Sequence, residues 1–280
     1  MTVAAWTLFA ATMYLIVASA LGHWVHLPIL GDIGFTLVFV LFAITHCAAY
    51  EGPRRTAVFF ALSAMVCFCM EEIGVRTGLI YGAYHFGDML GAKLGHVPII
   101  IPLAYFMMIY PSWMVARTLL RGIKTDSIAG ITALAGVAAL VVTAWDLVMD
   151  PGMARAGNWV WEHGGVYFGV PRRNYLGWLL TTFIVYWIAA YYWSKLDRRH
   201  NATRGFAALP LLVYAAYALH YLAPNPIPEL QLIALFAMVA PALLALMQCF
   251  LPRNDQGQWV RRASDRGNGS IEDRRAPAQQ

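Results

Sequence analysis

The chain has 280 residues, of which 60% are hydrophobic and only 12% are charged, whereas a typical soluble domain carries about a quarter of charged residues. With 14 Phe, 14 Tyr and 10 Trp, the chain has too little polar surface to cover a water-soluble globule, which argues against disordered, disulfide-rich and nucleic-acid-binding proteins. The net charge of +5 does not indicate an anionic partner, because many basic residues lie in one polar tail. The composition indicates an integral membrane protein.

Eight apolar runs are each long enough to cross a bilayer as a helix, which needs about 20 residues. In chain order they are Ala4–Leu21, Ile33–Tyr50, Thr56–Gly74, Val97–Ala116, Ser127–Val148, Tyr175–Ser194, Phe206–Ala223 and Leu230–Leu251. We therefore predict an all-α, polytopic membrane helix bundle with about eight transmembrane helices, formed by residues 1–251. Residues 252–280 are polar and lack a hydrophobic period, which predicts a disordered cytoplasmic tail.

The predicted loops differ in charge on the two sides of the bundle. Lys and Arg concentrate in the loops of one side and in the tail, and the positive-inside rule then predicts that both termini are cytoplasmic. Two long loops on the other side are rich in Gly and aromatic residues, which favours a functional site there. The acidic residues that collect on this side are Glu71, Glu72, Asp88, Asp146, Asp150 and Glu162.

Asp146 and Asp150 are the first candidates for catalytic residues, because an ionisable side chain in a membrane helix is costly and by default functional. A spacing of four residues can place both carboxyls on one helix face, although Pro151 indicates that the helix is already ending. Neighbouring, partly buried carboxyls favour a state in which one keeps its proton, and we assign this acid role to Asp146. The structural alternative is an ion pair of Asp146 with Arg76 or Arg155.

Glu72 and His85 are further catalytic candidates. Glu71 and Glu72 point about 100° apart on a helix, so only one of them can face the bundle fully, and we favour Glu72. The alternative for either glutamate is an interfacial ion pair with Arg76. His85 can transfer protons or position water, and the alternative is a histidine bonded to a backbone carbonyl.

Aromatic side chains near these acids are candidates for substrate binding, because the faces of aromatic rings stabilise cations. An interfacial aromatic belt is the alternative for about half of the rings. The predicted substrate-binding residues are Tyr81, Tyr84, Trp145, Trp161, Tyr167, Asn174 and Trp178.

The sequence gives no pattern that requires a cofactor or a metal. It lacks the glycine motifs that bind dinucleotides and phosphates and the histidine boxes of membrane di-iron enzymes. The Asp146-x-x-x-Asp150 spacing is similar to that of Mg²⁺-dependent prenyltransferases, but no second Asp-rich motif accompanies it. We therefore expect neither a cofactor nor a bound metal.

Several motifs between residues 60 and 180 are characteristic when taken together. They are Glu72-x-Gly74-Val75-x-Thr77-Gly78, Gly82-x-Tyr84-His85-Phe86, Gly95-x-Val97-Pro98-x-x-Ile101-Pro102-Leu103-Ala104, Asp146-x-x-x-Asp150-Pro151, Trp159-x-Trp161 and Gly165-x-Tyr167-x-Gly169-Val170-Pro171-x-x-Asn174-Tyr175-x-Gly177-Trp178. With these motifs the chain resembles the carotenoid biosynthesis membrane protein family, which includes CruF-type carotenoid 1,2-hydratases and bisanhydrobacterioruberin hydratase. It departs from many members at Leu79-Ile80-Tyr81, where they carry Phe-Pro-Phe. This difference bears on the end group and chain length of the substrate more than on the reaction type.

The resemblance implies a cofactor-independent hydratase that adds water to a terminal C=C of an acyclic carotenoid. Protonation of the alkene gives a tertiary carbocation, which water then captures. The resemblance further implies a lipophilic carotenoid substrate and a bacterial or archaeal cell membrane, and it is compatible with association with other carotenoid enzymes. The alternatives are a carotenoid cyclase or isomerase that uses the same acid step, a membrane transporter of small apolar molecules, and a non-catalytic scaffold.

Overall fold

All eight apolar runs form helices in the computed structural model, which describes residues 1–22, 24–123, 127–194, 202–224 and 226–251. No strand in this part of the chain exceeds three residues, so the predicted all-α class is confirmed. The predicted tail, residues 252–280, lies outside the described residues. The helices are α1 (Thr2–Leu21), α2 (Asp32–Glu51), α3 (Pro53–Thr77), α4 (Ile100–Leu119), α5 (Ile128–Arg155), α6 (Arg172–Ser194), α7 (Arg204–His220) and α8 (Glu229–Phe250).

Seven of these helices are long and apolar enough to cross a bilayer, judged by length and composition. The exception is α7, which has 17 residues and so lies at the lower end of the usual range of about 17–25 residues for a membrane span. It packs against α1 and α4 within the bundle. The prediction of a polytopic helix bundle is thus confirmed. Whether the bundle has seven or eight spans depends on α7 alone.

Pro151 does not end α5, which continues to Arg155, so the expected helix end at this proline is wrong. Proline has no backbone N–H, and the carbonyl four residues earlier therefore loses its helical partner. In α5 this is the carbonyl of Leu147, and the hydroxyl of Tyr167 donates to it at 3.0 Å. Because the helix continues, Asp146 and Asp150 lie one turn apart on the same helix.

The prolines in α7 and α8 are accommodated in two other ways. In α7, Pro210 frees the carbonyl of Phe206, and Nε2 of His46 from α2 lies 2.8 Å from that oxygen. In α8, a π-helical segment (Leu235–Val239) precedes Pro241. Its wider turn pairs the Ala240 N–H with the carbonyl five residues earlier, as is typical of a π-bulge.

The two long loops are joined to each other by a short antiparallel sheet. Strand β1 (Tyr84–Phe86), from the loop after α3, pairs with β4 (Trp159–Trp161), from the loop after α5. A second small hairpin in the first loop consists of β2 (Lys93–Leu94) and β3 (Val97–Pro98). Side chains alternate between the two faces of a strand, so Tyr84 and Phe86 are buried while His85 between them is exposed.

The orientation of the bundle stays a prediction that a reporter fusion can test. A reporter that is active only outside the cytoplasm is expected to give no signal when it is fused after Leu251, because the positive-inside rule predicts a cytoplasmic carboxyl end. The same reporter fused after Gly164, in the loop between α5 and α6, is the positive control. A strong signal from the fusion after Leu251 would show that the orientation or the number of spans is wrong.

Candidate active site

A cavity of about 890 Å³, including its open mouth, lies where α3 and α5 end and where α4 and α6 begin. The lining includes three carboxyl side chains, of which Glu71 and Asp150 are buried and Asp32 is exposed. The larger apolar and aromatic lining residues are Ile33, Phe35, Tyr84, Phe86, Leu90, Ile100, Ile101, Tyr105, Met107, Met108, Met149, Met153, Trp159, Trp161, Trp178 and Tyr217.

Glu71 lies on α3 and is only 5% exposed. Its Oε1 accepts a hydrogen bond from the Tyr105 hydroxyl at 2.5 Å, and its Oε2 accepts one from the Tyr84 hydroxyl. Within the described ranges, no Lys, Arg or His forms an ion pair with it. A tyrosine hydroxyl can donate or accept, so Glu71 keeps its hydrogen bonds whether or not it carries a proton.

Asp146 and Asp150 are bridged by one amide group. The Nδ2 of Asn174, at the start of α6, lies 3.0 Å from Oδ2 of Asp146 and 2.6 Å from Oδ2 of Asp150. The indole N–H of Trp159 donates to the other oxygen of Asp150. Both partners of Asp150 are N–H donors, which cannot accept a proton, and this pattern suits an ionised carboxylate.

Asp146 lies behind Asp150 and does not line the cavity. It is fully buried, and its Oδ1 has no hydrogen-bond partner among the residues that the structure describes. Two adjacent negative charges repel each other, and one proton on the pair removes that repulsion. Asp146 is the member that can hold this proton without displacing an N–H donor.

The tyrosines of the adjoining loops carry neutral hydroxyl groups. Burial, with the nearby Glu71 carboxyl, raises the pKa of the Tyr84 hydroxyl well above its usual value. The same two causes raise the pKa of Tyr81. Burial, with the nearby Asp146 carboxyl, raises the pKa of Tyr167 to about 12. These hydroxyls therefore remain protonated hydrogen-bond donors at physiological pH.

Five of the predicted site residues line the cavity, namely Asp150, Tyr84, Trp161, Asn174 and Trp178. The Trp178 ring stacks on Tyr105 with a centroid separation of 4.3 Å. The ring of Tyr84 packs against Trp161 with a separation of 4.8 Å. The structure thus brings together predicted residues from α5, α6 and both loops that are far apart in the sequence.

Glu72 points away from the cavity, so the expected orientation of the Glu71–Glu72 pair is wrong. One oxygen of Glu72 accepts from Nε of Arg76 at 2.7 Å, and the other accepts from the backbone N–H of His96 at 2.9 Å. These contacts tie α3 to the β2–β3 hairpin near the protein surface. The turn of about 100° between neighbouring residues places Glu71, rather than Glu72, inside the bundle.

Besides Asp146 and Glu72, four predicted residues lie outside the cavity lining. His85 is on the exposed face of β1. Trp145 is fully buried against Phe39 and Tyr217, with centroid separations of 5.9 and 4.6 Å. The Tyr167 hydroxyl donates to the backbone of α5, as described above.

Tyr81 lies next to the cavity without lining it. Its hydroxyl lies 3.4 Å from that of the lining residue Tyr105.

The sequence-based prediction did not include Tyr105 and Trp159 among the site residues, and it favoured Glu72 rather than Glu71 as the glutamate that faces the bundle. A signal for Glu71 was available on α3, whose buried residues are Thr56, Phe59, Ser63, Cys67, Glu71 and Gly74. This stripe recurs every three or four residues and consists mostly of small or polar side chains. Helix interfaces in membranes are rich in small residues, so the stripe identifies the face that turns inward.

The arrangement is suited to proton transfer next to an apolar ligand. The cavity combines two buried carboxyls, several hydroxyl groups and aromatic ring faces. Within the described part of the chain, no group of three or more His, Cys, Asp or Glu side chains is arranged to hold a metal ion.

Comparison with known proteins places these residues in a family. The sequence model described as "carotenoid biosynthesis protein" matches residues 31–252. Over 129 residues the chain is 33% identical to a bisanhydrobacterioruberin hydratase of Haloarcula japonica. This match covers 46% of the chain and 42% of the relative, so the aligned part spans less than half of that protein.

No solved structure matches the chain significantly. The family model covers most of the sequence, including every element that contributes to the cavity, and the resemblance found in the motifs is confirmed. The chain belongs to the carotenoid biosynthesis protein family.

Proposed function

We propose that this protein is a carotenoid hydratase, which adds water to a terminal C=C of an acyclic carotenoid end group. The observation that carries the proposal is the cavity itself, in which the buried carboxyls of Glu71 and Asp150 face an apolar and aromatic space. Neither carboxyl forms an ion pair with a residue that the structure describes. An isoprenoid end group needs such a space, and its hydration needs an acid and a base. The name of the Haloarcula relative supports the same reaction.

The first step is protonation of the alkene, and we assign it to Glu71. A buried carboxyl without a counter-charge favours its neutral, protonated form. Glu71 can hold a proton and keep its bonds to Tyr84 and Tyr105, because the hydroxyls can accept as well as donate. The proton adds to the less substituted alkene carbon, and the positive charge develops on the tertiary carbon.

The second step is capture of the cation by water, and we assign the base to Asp150. The N–H donors of Trp159 and Asn174 stabilise its ionised form and fix its orientation. The water oxygen bonds to the tertiary carbon while a water proton passes to Asp150, so H and OH have been added in total. A cavity water then returns the proton from Asp150 to Glu71, which restores the starting state.

The remaining site residues act on the cation or on the two carboxyls. The faces of Trp178 and Trp161 can stabilise the positive charge, because aromatic faces carry negative potential. Asn174, which lines the cavity, binds both Asp150 and the more deeply placed Asp146, and it thereby holds Asp150 in place. The exposed members of the lining, Asp32 and Ile33, lie at the start of α2, and we propose that the polyene leaves the cavity beside them.

The alternative functions predict other features. A cyclase would form the same cation, but an internal alkene of the substrate would attack it and close a ring. The ring cation would then lose a proton to a base instead of binding water. A transporter places its polar site near the middle of the membrane on broken helices, whereas the carboxyls here lie near the ends of α3 and α5. The position of the carboxyls therefore favours an enzyme.

The reaction type can be tested by expressing the protein in a host that accumulates lycopene, followed by mass spectrometry of the pigments. The expected product is heavier by one or two molecules of water and more polar than lycopene. Growth in water labelled with heavy oxygen should label the new hydroxyl group. A product of unchanged mass would indicate cyclisation or isomerisation, and a label derived from O₂ would contradict acid-catalysed hydration.

A further inference from the structure

We propose that Tyr81 is a positioning residue that orients the Tyr105 hydroxyl toward Glu71 through a chain of hydroxyl groups ending at Thr181. This inference deepens the proposed function and rests on the acid role of Glu71 assigned above. It replaces the prediction that Tyr81 binds the substrate, because Tyr81 is only 1% exposed and does not line the cavity.

The ring of Tyr81 is clamped between two helices. A Cβ atom added to Gly74 of α3 would lie 2.6 Å from Cδ2 of the ring, and one added to Gly177 of α6 would lie 2.5 Å from Cδ1. Both distances are far below a van der Waals contact, so a larger residue at either position would displace the ring. The two glycines thus fix Tyr81 in one orientation.

This fixed ring aims its hydroxyl at two partners. The Tyr81 hydroxyl lies 2.7 Å from Oγ1 of Thr181 and 3.4 Å from the Tyr105 hydroxyl. The Tyr105 hydroxyl in turn donates to Oε1 of Glu71 at 2.5 Å. Thr181, Tyr105 and Tyr81 are all 2% exposed or less, so bulk water does not compete for these bonds.

The three hydroxyl groups of Thr181, Tyr81 and Tyr105 can all donate in one direction, toward Glu71. Tyr105 has a single hydroxyl proton, which can point either to Glu71 or to Tyr81. If Thr181 donates to Tyr81 and Tyr81 donates to Tyr105, the Tyr105 proton is left for Glu71. When Glu71 carries the proton, the same hydroxyls can rotate and accept from it. Tyr81 therefore controls how strongly Tyr105 supports each protonation state of Glu71.

Tyr81→Phe tests the inference, because it keeps the ring between the glycines and removes only the hydroxyl. We expect kcat to fall about tenfold at an unchanged KM, the effect of one lost hydrogen bond that acts in the chemical step. The midpoint of the pH profile of kcat should also move. Thr181→Val removes the hydroxyl group that bonds to Tyr81, and it should move the same midpoint by a smaller amount.

Tyr186→Phe is the matched control. Its hydroxyl is also fully buried and donates to the backbone carbonyl of Ile109 at 2.8 Å. In the described structure this hydroxyl makes no hydrogen bond to Glu71, Tyr81 or Tyr105. A loss of general packing or stability should affect both tyrosine variants alike. Of these two tyrosine variants, Tyr81→Phe should shift the pH profile and Tyr186→Phe should leave it unchanged.

Infrared spectroscopy of the purified protein in lipid nanodiscs separates this inference from the proposed function. The carboxyl stretching band of Glu71 is assigned by its loss in Glu71→Gln, and its frequency depends on the hydrogen bonds to that carboxyl. We expect the band to shift in Tyr81→Phe and to stay unchanged in Tyr186→Phe, whether or not the protein hydrates carotenoids. An unshifted band in Tyr81→Phe would overturn the inference, while a shifted band without hydration activity would overturn only the proposed reaction.

Discussion

Glu71→Gln is expected to lower the rate of hydration by a factor of about 10² or more, the lower range for the loss of a general acid. Glutamine has the shape of glutamate and can still bond to Tyr84 and Tyr105, but it has no proton to transfer to an alkene. The variant protein should therefore insert and accumulate normally. The measurement is the yield of hydrated pigment per unit of membrane protein.

The adjacent residue provides a control of the same chemistry. Glu72→Gln makes the same substitution one position further along α3, where the side chain bonds to Arg76 and His96 outside the cavity. It should retain near-normal hydration and lose at most some stability of the β2–β3 hairpin. If Glu72→Gln abolishes hydration while Glu71→Gln retains it at equal protein levels, the acid has been assigned to the wrong glutamate.

Asp150→Asn is expected to cause a loss of similar size, about 10² or more, by removing the general base. Asparagine has only one acceptor oxygen, so its NH₂ group must face one of the N–H donors of Trp159 and Asn174. Asp88→Asn is the control, because the side chain of Asp88 is fully exposed in the first loop. Pigment yield and the melting temperature of the purified variants should be measured together.

The neighbouring carboxyl gives this second prediction its sharpest comparison. Asp146→Asn should be tolerated better than Asp150→Asn, because an asparagine can present its oxygen to Asn174 and its NH₂ group to the unpartnered side of the site. We expect the Asp146 variant to retain more hydration activity. Should Asp146→Asn abolish hydration while Asp150→Asn leaves it intact, the acid role that the sequence favoured for Asp146 would be restored.

The helices were predictable from the sequence because the bilayer requires about 20 apolar residues per span. The spacing of Asp146 and Asp150 likewise predicted two carboxyls on one helix face. The continuation of α5 past Pro151 was not predictable. It depends on a hydroxyl from Tyr167, 16 residues after the proline in the chain, that replaces the missing backbone bond.

The choice between Glu71 and Glu72 shows why hydropathy was insufficient on α3. In a soluble helix the apolar face turns inward, but in a membrane helix the large apolar side chains face lipid and small residues face the neighbouring helices. Met65 and Ile73 on α3 are accordingly 62% and 48% exposed, whereas Cys67 is fully buried. The stripe of small residues, rather than the apolar one, defines the inner face.

By itself, the sequence determined the membrane bundle, the end of the bundle where the acids collect and the family, since these follow from local composition, spacing and motifs. Only the tertiary structure decided which acids meet in the cavity. Glu71, Asp150 and Asn174 come from three different helices, and the β1–β4 pairing brings Trp159 and Tyr84 beside them. The physical reason is that a side chain's exposure and hydrogen-bond partners depend on the rotation and packing of neighbouring helices, which no local pattern specifies.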